Sequence, residues 1–597
     1  MNSARNALIP CLIFVAAFVT FLPALQADFV NWDDYDTVVK NPGVHGLGLA
    51  QLRWMWTGAV LGHWIPLTWM SFGFNYVLGG LRPAGYHLFN LLLHAASATC
   101  FYFIGRRLLK AAHPAWGAAV VSAGAGVAAI LFAVHPLRVE SVVWVTERKD
   151  VLCGIFFMLA ALWYLRAAED KTLKRGWACA SLAAFTAAIL SKAAAVPLPA
   201  LLLLLDVYPL GRVRRYGWGH CLLEKLPWVA LGGMGGAVAL HTVLTGTGVT
   251  TYAAYGVPSR LAMTAYTFMF YPTRWLWPVE LSPLYELPAH LDPSSRRFVV
   301  PMVAFAIITS ALVALRRRWP AGLTAWTASI TMLLPISGIV HSGQQLAHDR
   351  YSYLSGLGFA LLAGGGFAWL LDSQARGRVS PVIARSVVAG TAVVTVMLAL
   401  ATWDHAKVWQ DSESLWRWAI SVDSNCAVCW NDLGTALTTQ KRYAEAETAS
   451  RRAMELRPDR ATYPNNVAVA LFSQGRTAEA EEMLRLALRL DPTLPGALAN
   501  MAYLLAQTGR AGESLDYFRR AYAGDPHFAD LVKNYVEALR GEAATLVSAR
   551  RPGSALALLH EALRLNPADA ETRRQIDALG GDPLQSRISP EGAPRGR

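Results

Sequence analysis

Three carboxylates stand within four positions in NWDDYDTVVKNPGVHGL, residues 31–47: Asp33, Asp34 and Asp36. Adjacent carboxylates repel, so holding Asp33 beside Asp34 calls for a cation, a metal or a substrate to balance them. The plainer alternative is a solvated loop with Asx-type turns. Further along, HPLRVES, VTERKD, LSK and AHDRYSYL supply Arg138, Glu140, Glu147, Arg148, Lys149, Lys192, His348, Asp349 and Arg350. A carboxylate can take a proton from an acceptor hydroxyl, and guanidinium groups can hold a departing phosphate through paired hydrogen bonds. That mixture suits transfer of a group from a phosphate-linked donor, with the Trp, Tyr and Pro residues around it as apolar walls for a lipid tail or a sugar face. Taken singly, each Arg or Asp can instead be a loop-fastening ion pair, and Lys192 can snorkel from a span end. His45, His63, His87, His135, His341 and His348 show no HExxH or other ligand spacing, so no metal is expected on histidine. A divalent ion held by Asp33 and Asp34 stays open.

These residues must be positioned by helices in a membrane. Hydrophobic residues make up 54% of the 597, with mean hydropathy +0.31. The average hides a split: residues 1–404 contain repeated long apolar runs, whereas 411–597 is Ala-rich and charged. A run of roughly 20 apolar residues is what a helix needs to cross about 30 Å of hydrocarbon. The net charge of +13 could suggest nucleic acid, but the excess sits in short clusters beside apolar runs. They are Arg106/Arg107/Lys110, Lys171/Lys174/Arg175, Arg212/Arg214/Arg215, Arg316/Arg317/Arg318 and Arg376/Arg378. Cytoplasmic membrane loops carry this bias, and no nucleic-acid motif accompanies it, so nucleic acid is not an expected partner.

Eleven spans are expected, over 8–25, 86–105, 116–134, 150–166, 177–192, 195–208, 226–244, 298–315, 320–340, 353–371 and 382–402. The first has a signal-peptide look but reads better as an uncleaved span. With Arg5 inside, this count puts all five basic clusters in the cytoplasm and gathers the acidic, His- and Trp-bearing loops outside. The apolar stretch 261–278 reads as re-entrant or interfacial, because a full crossing there would put Arg316–Arg318 outside. Polar clusters at membrane level are costly unless paired or wet, so the outer loops are the candidate site.

After Trp409 a 34-residue period emerges, with Pro458, Pro492 and Pro526 as repeat ends. Trp430, Leu433, Gly434, Leu437, Ala446 and Ala453 then fall at tetratricopeptide positions. The next repeat end is Pro567, 41 residues on, which predicts a lengthened first helix or an inserted loop in a fourth repeat. Cys426 and Cys429 lack the histidine of a haem motif; they read as a local disulfide or two buried small residues.

The DD of the first outer loop is similar to that of the membrane-embedded GT-C glycosyltransferases. NWDDYDTVVKNP, GYHLFNLLLH, HPLRVESVVWVTERKDVL, SKAAAVPLPALLLLLDVYPLGR and HDRYSYL, followed by the repeats, more closely resemble the transmembrane and tetratricopeptide-repeat containing proteins, as a bacterial relative. The resemblance implies an all-α chain: a polytopic GT-C-like bundle over 1–404, a linker helix over 405–425, repeats over 426–580 and a disordered tail over 581–597. It also implies protein O-mannosyltransfer of inverting type from a polyprenyl-phosphate sugar, with Asp33 or Asp34 as base. Arg138, Glu140, Arg148, Lys149, Lys192, His348, Asp349 and Arg350 would lie near the donor. The repeats would hold a protein acceptor or envelope partner at Trp430, Asn431, Asn465 and Asn500, outside a bacterial inner membrane. A lipid-linked oligosaccharide ligase or polymerase, and a non-enzymatic scaffold acting through the repeats, are the alternatives.

Overall fold

The computed structural model describes residues 2–245, 255–339, 343–524 and 530–580, with side chains in the first helix from Leu8 onward. The tail 581–597, His341 and Pro526 lie outside the described residues. The chain divides into two units, Met1–Ser424 and Asn425–Arg597.

In the first unit every segment read as a span is largely helical over its described residues, but the count of eleven crossings does not follow. Among the described residues five helices are long and apolar enough to cross a membrane, or seven if each of two bent pairs is one span. The five are Pro83–Ala112, Val145–Ala167, Trp218–Thr245, Arg296–Ala314 and Pro381–Val408. Several of the rest are short: Leu198–Val207 has 10 residues and Pro320–Leu333 has 14. At 1.5 Å per residue, ten residues rise only about 15 Å, half the hydrocarbon. The stretch around 261–278 is an unbroken helix, Val257–Leu276. Helices of the first unit approach closely at small residues, the packing that membranes favour where burying apolar surface gives no drive. Ala118–Ala133 and Leu357–Ala375 cross at Gly124 and Gly364, where a Cβ on Gly124 would lie 2.6 Å from the Gly364 carbonyl.

The 405–425 stretch is not a separate linker. Pro381–Val408 runs into it, and Ser412–Val422 is an amphipathic helix that belongs to the first unit because its tryptophans are held there. Trp416 Nε1 donates to Asn31 Oδ1 at 2.7 Å, Asn31 N to Ser412 Oγ at 2.8 Å, and Trp418 Nε1 to the Leu281 carbonyl at 2.7 Å. A two-residue ribbon pairs Tyr285 with Ala347 and Glu286 with Gln345, fixing the start of His348–Arg350.

The second unit is a row of helix pairs: Ala427–Thr439 with Tyr443–Leu456, Thr462–Ser473 with Thr477–Leu490, Pro495–Gln507 with Ala511–Gly524, and Leu531–Ser548 with Pro552–Leu565, then Ala570–Ala578. Paired helices meet at small residues; a Cβ on Gly434 would strike Ser450 Oγ. The fourth pair absorbs its extra residues in a first helix of 18, against 13, 12 and 13 in the three before it.

Gly364→Val should drive its side chain into the Gly124 backbone and lower stability by about 1–3 kcal/mol or more. Gly366→Val, two residues on with nothing within 4 Å of its added Cβ, should not. Thermal unfolding of the two purified variants in one detergent checks this.

Candidate functional site

The acidic loop is fastened by one of its carboxylates. Asp34 is buried: its Oδ2 accepts from Val30 N at 3.0 Å, and its Oδ1 accepts from Thr146 N at 2.9 Å and Thr146 Oγ1 at 2.6 Å. Thr37 Oγ1 adds a 2.8 Å hydroxyl contact to Thr146 Oγ1. Burial pushes the Asp34 carboxyl up to about 7 against these hydrogen bonds, which favour the carboxylate. Asp33 is different. Its side chain is half-buried, with no hydrogen bond or ion pair of its own among the described residues, and it lies close enough to Lys149 and Arg350 to feel both charges. Burial raises its pKa and the two cations oppose the rise. Asp34 is thus committed to structure, and Asp33 is the carboxylate of the pair with no bonding partner of its own among the described residues.

Beside Asp33 lies a network of three acids and three cations. Glu147 pairs with Lys149 at 3.1 Å, Lys192 at 2.9 Å and Arg350 at 3.2 Å. Lys192 also reaches Asp150 at 2.7 Å, and the Arg350 guanidinium pairs with Glu140 while its backbone N donates to Glu140 Oε2 at 2.9 Å. Buried charges persist where each has a partner. The pieces come from the start of Arg148–Ala167, the end of Arg175–Ser191, the short helix Val139–Val143 and the turn Asp349–Tyr351. His348 Nδ1 sits 2.8 Å from the Pro283 carbonyl and 3.2 Å from Glu140, and buried Asp349 accepts from Tyr285 OH at 3.1 Å. Trp416, Trp32, Trp144 and Trp409 form a continuous aromatic cluster, with ring centres 4.9, 5.0 and 5.7 Å apart in that order; Trp32 is half-buried and the other three are buried.

Two arginines expected near a donor phosphate are elsewhere. Arg148 is fully buried and donates to Asn75 Oδ1 at 2.8 Å, to the Tyr86 carbonyl at 2.8 Å and to Asn90 Oδ1, between the rings of Phe72 and Phe89. Arg138 is also fully buried, over Phe132 and Tyr353. Arg148 thus has its guanidinium bonded within the bundle, while Arg138 keeps Nε and Nη1 unbonded among the described residues. Asp150, which the motifs alone do not single out, joins this network, and His63 lies near Lys149 and Lys192. Desolvation, then the charges of Lys149 and Lys192, pull the His63 imidazole down to about 3. The i, i+3 spacing of Glu147 and Asp150 at a helix start is the sequence sign that could have found Asp150. His45 contacts the Val38 carbonyl at 2.9 Å, His135 contacts the Trp275 carbonyl at 2.9 Å, and His87 is buried. Among the described residues no three His, Cys, Asp or Glu side chains converge as metal ligands would, and both Asp34 oxygens accept hydrogen bonds.

In the second unit a chain of amides crosses the repeats. Asn500 donates to Asn465 at 2.9 Å, Asn465 to Asn466 at 3.1 Å, and Asn466 to Asn431 at 2.9 Å. Trp430 is partly committed to the repeat core, against Ala427, Ala453 and Tyr463. Cys426 and Cys429 are both buried and form a disulfide across the first turn of Ala427–Thr439.

Asp34→Ala would strip an acceptor from two buried backbone N–H groups, at about 1–3 kcal/mol each. It should lower the yield and melting temperature of folded protein, while Asp36→Ala, an exposed position, leaves both unchanged; size-exclusion profiles of matched membrane extracts read this.

Tetratricopeptide repeat family models match residues 425–493 and 465–527. Protein O-mannosyl-transferase Tmtc1 of Drosophila melanogaster is 27% identical, over 73% of this chain and 60% of its own. Tmtc3 of the same species is 24% identical, over 64% and 47%, and human TMTC4 is 25% identical, over 68% and 60%. The chain therefore covers about half to three-fifths of these relatives. The solved tetratricopeptide protein YrrB aligns with 28% of this chain and 82% of its own, at 18% identity and a TM-score of 0.23. Over most of its length, then, this multi-pass membrane chain is homologous to the transmembrane and tetratricopeptide-repeat containing O-mannosyl-transferases, and its second unit is built of tetratricopeptide repeats.

Proposed function

We propose that the recess around Asp33 is the active site of a glycosyltransferase that moves a sugar, mannose by the relatives' names, from a polyprenyl-phosphate donor to hydroxyl groups of proteins. The observation that carries the reading is the division of labour within the acidic pair: Asp34 holds the loop, and Asp33 stands uncommitted beside Lys149 and Arg350. Asp33 takes the acceptor's hydroxyl proton as the acceptor oxygen bonds to the anomeric carbon. The bond from that carbon to the phosphate oxygen breaks, and its electron pair leaves with the phosphate. A single displacement of this kind inverts the anomeric centre. An ammonium has three N–H donors, and Lys149 uses one on Glu147, so it and Arg350 can still take up charge developing on the phosphate. Trp32, the one half-buried ring of the tryptophan cluster, suits a sugar face or the first isoprene units.

The amide chain through Asn431, Asn465 and Asn500 supports binding of an extended acceptor segment or a partner by the repeats. The location proposed is a bacterial inner membrane with the repeats on the extracytoplasmic side. The Cys426–Cys429 disulfide supports that side, since disulfides persist in oxidising compartments.

Membranes carrying wild type, Asp33→Asn or Asp34→Asn should be compared for transfer from labelled polyprenyl-phosphate mannose, normalised to folded protein. Asp33→Asn should cut the rate roughly 10²–10⁴-fold, the usual worth of a positioned base. Asp34→Asn should lower the amount of folded protein more than the rate per folded molecule. Equal transfer by all three would sink the base assignment and make the acidic loop a structural turn; no transfer by wild type would favour a scaffold.

Because burial raises the Asp33 pKa above 3.8 and only the carboxylate can act as base, transfer should fall as pH drops through an acid limb above that value. His63→Gln should leave the limb in place, since His63 is already neutral there. A limb that vanished in His63→Gln would move the base to the imidazole.

A further inference from the structure

The helix Arg148–Ala167 starts at the acidic recess and runs 20 residues, about 30 Å, to the opposite end of the bundle. There a cavity of about 790 Å³ opens between helix ends. Six cations line it, Arg106, Arg107, Lys110, Arg166, Arg212 and Arg215, against a single carboxylate, Glu169. Glu169 is already shared between Arg107 at 2.9 Å and Lys174 at 2.8 Å. Arg212 forms a fixed floor, paired with Glu224 at 2.6 Å and bonded to the Ala168 carbonyl at 3.0 Å. Lys110 donates to the Pro114 and Trp116 carbonyls at 2.8 and 2.9 Å.

No carboxylate among the described residues pairs with Arg106, Arg166 or Arg215. Arg166 lies 4.6 Å from the centre of the Trp177 ring, with its buried Nε lacking any partner. Cations in the last turn of a helix complement its dipole, which accounts for Arg107 and Lys110 at the end of Pro83–Ala112. It does not account for an open volume between them walled by Phe103, Leu162 and Leu165. Excess positive charge and apolar walls in one cavity fit an anion that carries a hydrocarbon tail.

We propose that this cavity binds a phosphate-bearing ligand, with its phosphate among Arg106, Arg166 and Arg215. An anionic phospholipid headgroup and a free phosphate compound share that chemistry. The site is separate from the sugar-transfer reading and does not depend on it.

The test uses the full chain in a neutral detergent and follows tryptophan fluorescence during titration. The probes are dihexanoyl phosphatidylglycerol below its micellar concentration, dihexanoyl phosphatidylcholine and inorganic pyrophosphate. The variants are Arg106→Gln/Arg215→Gln and Arg166→Gln, each checked for a wild-type melting temperature in the absence of probe. Saturable binding of phosphatidylglycerol that weakens roughly tenfold or more in both variants supports the site and assigns it to lipid. The same pattern with pyrophosphate, and none with phosphatidylglycerol, supports it and assigns it to a free phosphate compound. Equal binding by wild type and variants, equal binding of phosphatidylcholine, or no binding of either anion overturns it. If one variant unfolds, the other decides.

Discussion

The interaction on which the rest depends is the grip of Asp34 on Thr146. It joins residues 112 apart in sequence, and it does so with a buried carboxylate that satisfies two backbone N–H groups and one hydroxyl at once. On the near side it fixes the loop that carries Trp32 and Asp33. On the far side it fixes the turn Val145–Glu147, from which the Arg148–Ala167 helix and its opening charges start. Remove it and Asp33 loses its address relative to Lys149 and Arg350. A catalytic carboxylate needs that address held to a fraction of an ångström, because a reacting group that is free to wander loses most of the benefit of proximity.

This also explains why the acidic pair was legible as a pair but not as two roles. The motif shows that two carboxylates are forced together, and electrostatics alone says that one needs a reason. Which oxygen is engaged depends on Thr146, and nothing in residues 31–47 points there. The arginines show the same limit. Arg138 and Arg148 lie among polar residues at span ends, as Lys149 and Arg350 do, yet they face inward. Asn75 and Asn90, polar side chains in otherwise apolar helices, are the partners that draw Arg148 into the bundle. The repeats were readable because proline spacing and small residues act locally. The short helices were harder, since hydropathy registers an apolar run of ten residues without saying that it spans half a bilayer.

Burial of charge in the first unit follows one rule at both ends. At the recess, Glu140, Glu147 and Asp150 balance Lys149, Lys192 and Arg350, so the network can sit in a low-dielectric setting without an unpaired ion. At the other end, Asp206 is buried with Lys225 and Arg212 and accepts from Tyr164 OH at 2.7 Å. In each case the closed network leaves a neighbour outside it: Asp33 at one end, Arg106, Arg166 and Arg215 at the other. A charge beside a closed network is held in place by its surroundings and still able to meet a ligand.

That asymmetry bears on what kind of ligand each end can take. An anion entering the recess meets cations whose charges are already matched, so its binding rests on spare N–H donors rather than on net attraction. On the proposed reading, such a site would hold a substrate phosphate weakly in the ground state and gain as charge moves onto the leaving oxygen, the arrangement in which binding energy goes into rate. At the basic end the charges are unmatched, so attraction is strongest for a resident anion and nothing nearby rises in strength during a reaction. The two ends of one helix bundle thus differ in kind, with charge balanced at one and unmatched at the other.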